Sequence, residues 1–122
     1  MNEESLVKFC QGYLSAAFWA CKDDEGNSLE NNFSADDLSR STQETIVEEC
    51  HSFLHDNLLY LEGRYTDAGA DFFYSRNKFD GRGFQAKERF WRNGDSLNKY
   101  AVVCGESWLS LNKNNEIVSS LK

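Results

Sequence analysis

The stretch Thr42-Gln43-Glu44-Thr45-Ile46-Val47-Glu48-Glu49-Cys50-His51-Ser52-Phe53-Leu54-His55-Asp56-Asn57-Leu58-Leu59-Tyr60-Leu61-Glu62-Gly63 decides how this chain folds. Its apolar residues Ile46, Val47, Cys50, Phe53, Leu54, Leu58 and Leu61 step by three and four, which predicts an amphipathic helix over about 43–62. Ser41 or Thr42 stands where a cap belongs, Glu44 follows in the first turn, and Gly63 closes the element. The same stepping at Leu6, Phe9, Cys10, Tyr13, Leu14, Ala17, Phe18 and Cys21 predicts a second long helix over 5–21. Two helices that each bury a stripe require a shared core.

Between them, residues 22–33 read as a polar loop with a turn at Glu25-Gly26-Asn27, and Ser34 caps a short helix running to about Arg40. After Gly63 the pattern changes. Asp71-Phe72-Phe73-Tyr74-Ser75-Arg76 is rich in β-formers and precedes Gly81-Arg82-Gly83-Phe84, which predicts a helical turn near 66–70 and then an irregular hairpin. Asp95 caps a helix over about 96–104, with Gly105 just past its end. Ser107–Leu111, a polar turn at Asn112-Lys113-Asn114-Asn115, and Glu116-Ile117-Val118 predict a terminal β-hairpin. The expected fold class is α+β. Amphipathic helices pack on a small antiparallel sheet from around 71–84 and 107–119, ending in a C-terminal β-hairpin, with 1–122 as one globular domain. Phe9, Leu14, Phe18, Val47, Phe53, Leu54, Leu58 and Trp108 are the expected core, each worth about 1.5–3 kcal/mol of burial.

Composition supports an ordered chain. The 122 residues are 40% hydrophobic and 14% aromatic, which excludes intrinsic disorder. There is no proline, so polyproline recognition segments are excluded too. The acidic start Met1-Asn2-Glu3-Glu4 is unlike a secretory signal, and no run approaches 18 apolar residues. Cys10, Cys21, Cys50 and Cys104 form no C-x-x-C pair, so the expectation is buried free thiols in a cytosolic protein.

Charge is divided along the chain. Residues 1–60 hold 12 acids and 3 bases, a net of −9, whereas residues 61–122 hold 8 acids and 10 bases, a net of +2. Such a molecule is a dipole. On the acidic side, Asp36, Asp37, Glu44 and Glu48 form a candidate surface whose carboxylates imitate nucleic-acid phosphates toward a basic groove on a partner. On the basic side, residues 76–92 interleave bases with Phe79, Phe84, Phe90 and Trp91, and Arg82, Arg89 and Trp91 are candidates for binding single-stranded nucleic acid. The total charge of −7 makes direct nucleic-acid binding the second choice.

The catalytic and metal patterns fail. His51 and His55 share a helix face with Glu48, but Ser52-Phe53-Leu54 between them leaves no general-base Glu, and no third ligand follows. Asp23-Asp24-Glu25-Gly26-Asn27 lacks the calcium-loop spacing, since Cys21 and Asn32 occupy the required ligand positions. Gly81-Arg82-Gly83-Phe84 lacks the third glycine of a phosphate loop. The expectation is a protein without enzymatic activity, metal or cofactor. Asp71, Arg76, Asn77, Gly81 and Gly83 are instead expected to form one structural knot, in which Asp71 accepts hydrogen bonds from the turn.

Ala68-Gly69-Ala70-Asp71-Phe72-Phe73-Tyr74-Ser75-Arg76-Asn77, then Gly81-Arg82-Gly83-Phe84, resembles a family of small bacteriophage accessory proteins with a signature of roughly A-G-H-D-F-W-L-T-R-N-G-H-G-A-G-F. The likeness extends to Tyr13–Trp19, Asp23–Gly26, Ser34–Leu38, the helix with Cys50, Phe53 and Leu54, Gly94–Leu97 and the terminal hairpin. The motif histidine is Ala70 here, Phe73 replaces the second aromatic, and the turn Lys78-Phe79-Asp80 is one residue longer without its histidine. The resemblance implies a phage protein acting in the host bacterial cytoplasm. Together with the acidic half, it leads to the expectation of an inhibitor of a host nucleic-acid-handling defence or repair enzyme, of anti-restriction or anti-CRISPR type. That partner is a host protein, the chain itself a monomer or small homo-oligomer, with no membrane involved. The alternative is a small nucleic-acid-binding protein using 76–92.

Overall fold

The computed structural model describes residues 1–121, with side chains described to Ser119. Four α-helices and a two-stranded sheet follow in chain order: α1 (Glu3–Ala20), α2 (Arg40–Asn57), α3 (Tyr65–Arg76), α4 (Gly94–Val103), β1 (Ser107–Leu111) and β2 (Ile117–Leu121). The expected α+β class and the C-terminal hairpin are both present. α1 opens on a capping box, in which the Asn2 side chain accepts from the Ser5 amide and the Ser5 hydroxyl from the Asn2 amide. α2 starts earlier than expected, because Ser39 rather than Ser41 or Thr42 accepts the first-turn amide, that of Thr42. α2 passes into a tight turn at Leu58–Leu61, and the chain reverses at Glu62 and Gly63, both with positive φ. The short helix expected from Ser34 is a single turn at Ala35–Asp37. α4 begins at Gly94, so Asp95 lies in its first turn and does not cap it.

The largest correction concerns 71–84. No hairpin forms there: Tyr65–Arg76 is the helix α3, followed by a loop. Asp71 through Asn77 are buried without interruption, so the C-terminal half of α3 is enclosed and shows no polar face, while Thr66 and Asp67 of its first turn reach solvent. Its aromatic run serves that enclosure. Phe72 stacks on Phe53 of α2 with ring centroids 4.3 Å apart, and Phe73 meets Tyr13 of α1 edge to face at 5.5 Å. Against α1 the approach is closer still. A Cβ on Gly12 would overlap the Thr66 carbonyl, and one on Gly69 would overlap the Phe9 carbonyl, so the two backbones touch.

Phe9, Phe18, Phe53 and Leu54 are core as expected, whereas Leu14, Leu58 and Trp108 are partly buried. Val47 is not core. Its side chain is 41% exposed because the buried stripe of α2 runs through Ile46, Cys50, Phe53, Leu54 and Asn57, and Val47 lies about 100° around the helix from Ile46.

The hairpin is antiparallel, with Ser107 opposite Leu121 and Leu111 opposite Ile117. Along the outer side of β1, the Ser107 amide donates to Asn77 Oδ1 and the Leu109 amide to Cys21 Sγ. Along the outer side of β2, the Ile117 carbonyl accepts from the Ser39 amide and the Ser119 amide donates to Thr42 Oγ1. All four cysteines are free, Cys21 and Cys50 buried, Cys10 and Cys104 half-buried. Among the described residues no helix is long and apolar enough to cross a membrane.

Candidate functional site

The motif residues are distributed over several ties instead of one knot. Asp71 is 1% exposed on α3, and its partners come from the loop beyond the motif: Oδ1 accepts from Arg89 Nε at 3.1 Å and Oδ2 from Trp91 Nε1 at 2.6 Å. Arg89 also reaches Asp67 at 3.2 Å, Arg64 joins Asp67 at 3.4 Å, and the Arg64 guanidinium lies 4.1 Å from the Trp91 ring centre. Burial pushes the Asp71 carboxyl upward, opposed by the Trp91 hydrogen bond and the Arg89 charge. The expectation that Asp71 serves the 77–83 turn is therefore corrected, because the turn lies past the C-terminal end of α3 and Asp71 sits more than a turn before that end.

Arg76 is fully buried and every N–H of its guanidinium has an acceptor. Nη1 and Nη2 grip Glu49 at 2.9 and 3.0 Å, Nη1 also meets the Tyr13 hydroxyl, and Nε and Nη2 donate to the carbonyls of Gly105 and Cys104. One side chain thus ties α1, α2, α3 and the entry to β1. Asn77 works at the same end. It donates to the Ser107 carbonyl and accepts from the Ser107 amide, as a neighbouring strand would. Phe72 and Phe84 are core on either side of Phe53. Ser75 Oγ accepts from the Phe84 amide, and a Cβ on Gly83 would overlap that oxygen. Gly81 faces open space, and its φ of +76° is what requires glycine.

The basic candidates separate. Trp91 is buried and Arg89 is committed to Asp67 and Asp71, so neither offers a free binding group. Arg82 is exposed, has no carboxylate partner among the described residues, and stacks its guanidinium 4.5 Å from the Trp19 ring centre. The residue between Arg89 and Trp91 is what that loop presents: Phe90 is 83% exposed with φ +56°. Sequence reasoning noted Phe90 only as one aromatic among several, since exposure is a tertiary property.

The acidic candidates fall into two pairs. Glu44 and Glu48 stand one turn apart on the outward face of α2, with the exposed Val47 beside them. Glu44 is held by Arg40 at 3.3 Å, whereas Glu48 has no partner among the described residues. Asp36 is exposed on the turn before α2, and Asp37 accepts from the Ser34 amide at 2.9 Å. The neighbouring Glu49, by contrast, is spent on Arg76. His51 and His55 stack in parallel at 6.2 Å on the same helix, and no group of three His, Cys, Asp or Glu among the described residues is arranged to hold a metal. No family model, curated protein or solved structure matches the chain.

Proposed function

We propose that this chain is a phage-encoded accessory protein that acts in the host bacterial cytoplasm by binding, and thereby inhibiting, a host nucleic-acid-handling defence or repair enzyme. It does so without catalysis of its own. The observation that carries this reading is the outward face of α2, where Glu48 has no ion pair among the described residues, Glu44 is exposed one turn away, and the exposed Val47 beside them supplies an apolar contact. A surface carboxylate not spent on the fold remains available to a partner, and an exposed apolar residue beside it provides area to bury. Asp36 and Asp37 extend the negative surface on the preceding turn. Of the residues expected to carry the alternative, Arg89 and Trp91 are consumed within the fold and do not supply a nucleic-acid contact.

The test compares the full chain with a variant carrying Asp36→Asn, Asp37→Asn, Glu44→Gln and Glu48→Gln as baits in host lysate. The wild-type chain is expected to retain a basic nucleic-acid enzyme that duplex DNA displaces and that the neutralised variant does not hold. Equal capture by both baits, or no capture by either, overturns the reading.

A further inference from the structure

The loop Lys87–Arg92 is built in an unusual way around Phe90. Its two neighbours turn inward onto a single buried carboxylate, Arg89 to Oδ1 and Trp91 to Oδ2 of Asp71. With both flanks pinned to α3, Phe90 is left 83% exposed and in the left-handed region at φ +56°, which a bulky aromatic rarely adopts. It is the one aromatic with positive φ among the described residues. Folding alone gains nothing from this arrangement, since glycine or asparagine fits the backbone better and the ring buries little. An outlier of this kind, held by surrounding structure that over-determines it, points to a ligand.

The surroundings indicate which ligand. Phe90 forms one wall of a cleft of about 340 Å³ also lined by Lys87, Arg92, Asn93, Ser96 and Asp95, whose carboxylate accepts from Gln85 Nε2 at 3.0 Å. That volume lies at the small end of ligand sites, roughly 300–1,000 Å³. Lys87 and Arg92 are exposed and have no carboxylate partner among the described residues, so two cations outweigh the single carboxylate of Asp95 along the cleft although the protein as a whole is negative. Salt screens charges beyond about 8–10 Å, so the groups lining the cleft govern what approaches it more than the net charge of the chain does. An exposed aromatic ring, two cations without carboxylate partners among the described residues, and the polar side chains of Asn93 and Ser96 lining one cleft match a base flanked by phosphates.

We propose that Phe90 is a stacking finger for single-stranded nucleic acid, held out by the Asp71 clamp, with Lys87 and Arg92 taking the adjoining phosphates. This site is separate from the acidic face of α2 and does not depend on it.

The experiment is fluorescence anisotropy of a labelled oligothymidylate of about 12 nucleotides, which spans one site of this size, titrated with the full chain at about 50 and 200 mM salt. Binding is expected at low salt and should weaken at high salt. Phe90→Ala should weaken it at least about fivefold, the loss of one stacked base. Lys87→Glu combined with Arg92→Glu should flatten the salt dependence. Phe90→Gly guards against a folding artefact: it should melt no lower than wild type yet bind as poorly as Phe90→Ala. The variant neutralised at Asp36, Asp37, Glu44 and Glu48 should bind no more weakly than wild type. The proposal is overturned if the wild-type chain does not bind the oligonucleotide at low salt. It is equally overturned if Phe90→Ala binds like wild type, or if Phe90 proves necessary only for retaining a protein partner.

Discussion

Glu49 receives Arg76 through both carboxylate oxygens, at 2.9 and 3.0 Å, although 27 residues separate them along the chain. The pair closes α2 onto α3 at the point where Tyr13 and the carbonyls of Cys104 and Gly105 complete the guanidinium's set of acceptors. Glu49→Ala is expected to cost about 3 kcal/mol, because it strands a buried charge, the lower end of the range applying since Glu49 itself is partly exposed. Arg76→Lys should cost nearly as much, since an ammonium lacks the planar fork that serves four acceptor groups. Urea denaturation measures both. A loss below about 1 kcal/mol for Glu49→Ala would show that the pair does not hold the helices together.

The contact between α1 and α3 reverses an ordinary rule. Glycine to alanine inside a helix normally gains about 1 kcal/mol. At Gly12 and Gly69 a methyl group has the opposite helix's carbonyl in its place, and neither backbone can yield without moving the whole core. Gly12→Ala and Gly69→Ala should each lose about 3 kcal/mol, read as a fall in urea midpoint. A stabilised alanine variant would mean that the helices pack farther apart.

Asp71 predicts a definite pH dependence. Its folded carboxyl holds a proton more tightly than the unfolded chain does, because burial outweighs the Trp91 and Arg89 contacts. Stability from this group is therefore present at acid pH and lost as pH rises from the ordinary carboxylate range, near about 4, through the raised folded value. Plotting urea stability against pH for wild type and Asp71→Asn isolates the effect: the wild-type curve should fall relative to the variant across that interval. Asp71→Ala should cost about 1–3 kcal/mol at neutral pH by leaving the Trp91 and Arg89 donors without an acceptor. A wild-type curve rising relative to Asp71→Asn would reverse the assigned direction.

The thiols should differ in reactivity. Cys10 is half-buried and the neighbouring Cys50 thiol lowers its pKa, whereas burial raises those of Cys21, Cys50 and Cys104. Brief iodoacetamide treatment of the native protein, read by peptide mass spectrometry, should alkylate Cys10 first. Prior labelling of Cys104 would contradict this order.

The two long helices and the terminal hairpin were legible because each has one wet face and one dry face, and that alternation is written in the residues. α3 was not. Asp71-Phe72-Phe73-Tyr74-Ser75-Arg76 carries β-forming side chains, but their role is to fill space on all sides of an enclosed helix, and enclosure erases the period that identifies one. Val47 misled for a related reason, since it fits the three-and-four stepping of α2 while standing just outside the strip that α1 and α3 cover. The partners of Asp71 and Arg76 were illegible because each lies 18 or more residues away, and a charged residue read singly looks solvated. Phe90 was visible as an aromatic but not as an exposed one. Only the capture of Arg89 and Trp91 by Asp71 sets its direction.

The side chain of Asn77 has an effect beyond its two hydrogen bonds with Ser107. By pairing with Ser107 in both directions it takes the place of a third strand, and Cys21 occupies the next position along the same edge. Ser39 and Thr42 do the same for β2. A two-stranded ribbon left bare would offer its margins as a template for any extended peptide, including a second copy of itself. Here the middle of each margin is occupied by side chains and by the turn before α2, which disfavours fibril growth and recognition by strand addition. Helix faces and loops are left as the open surfaces for recognition.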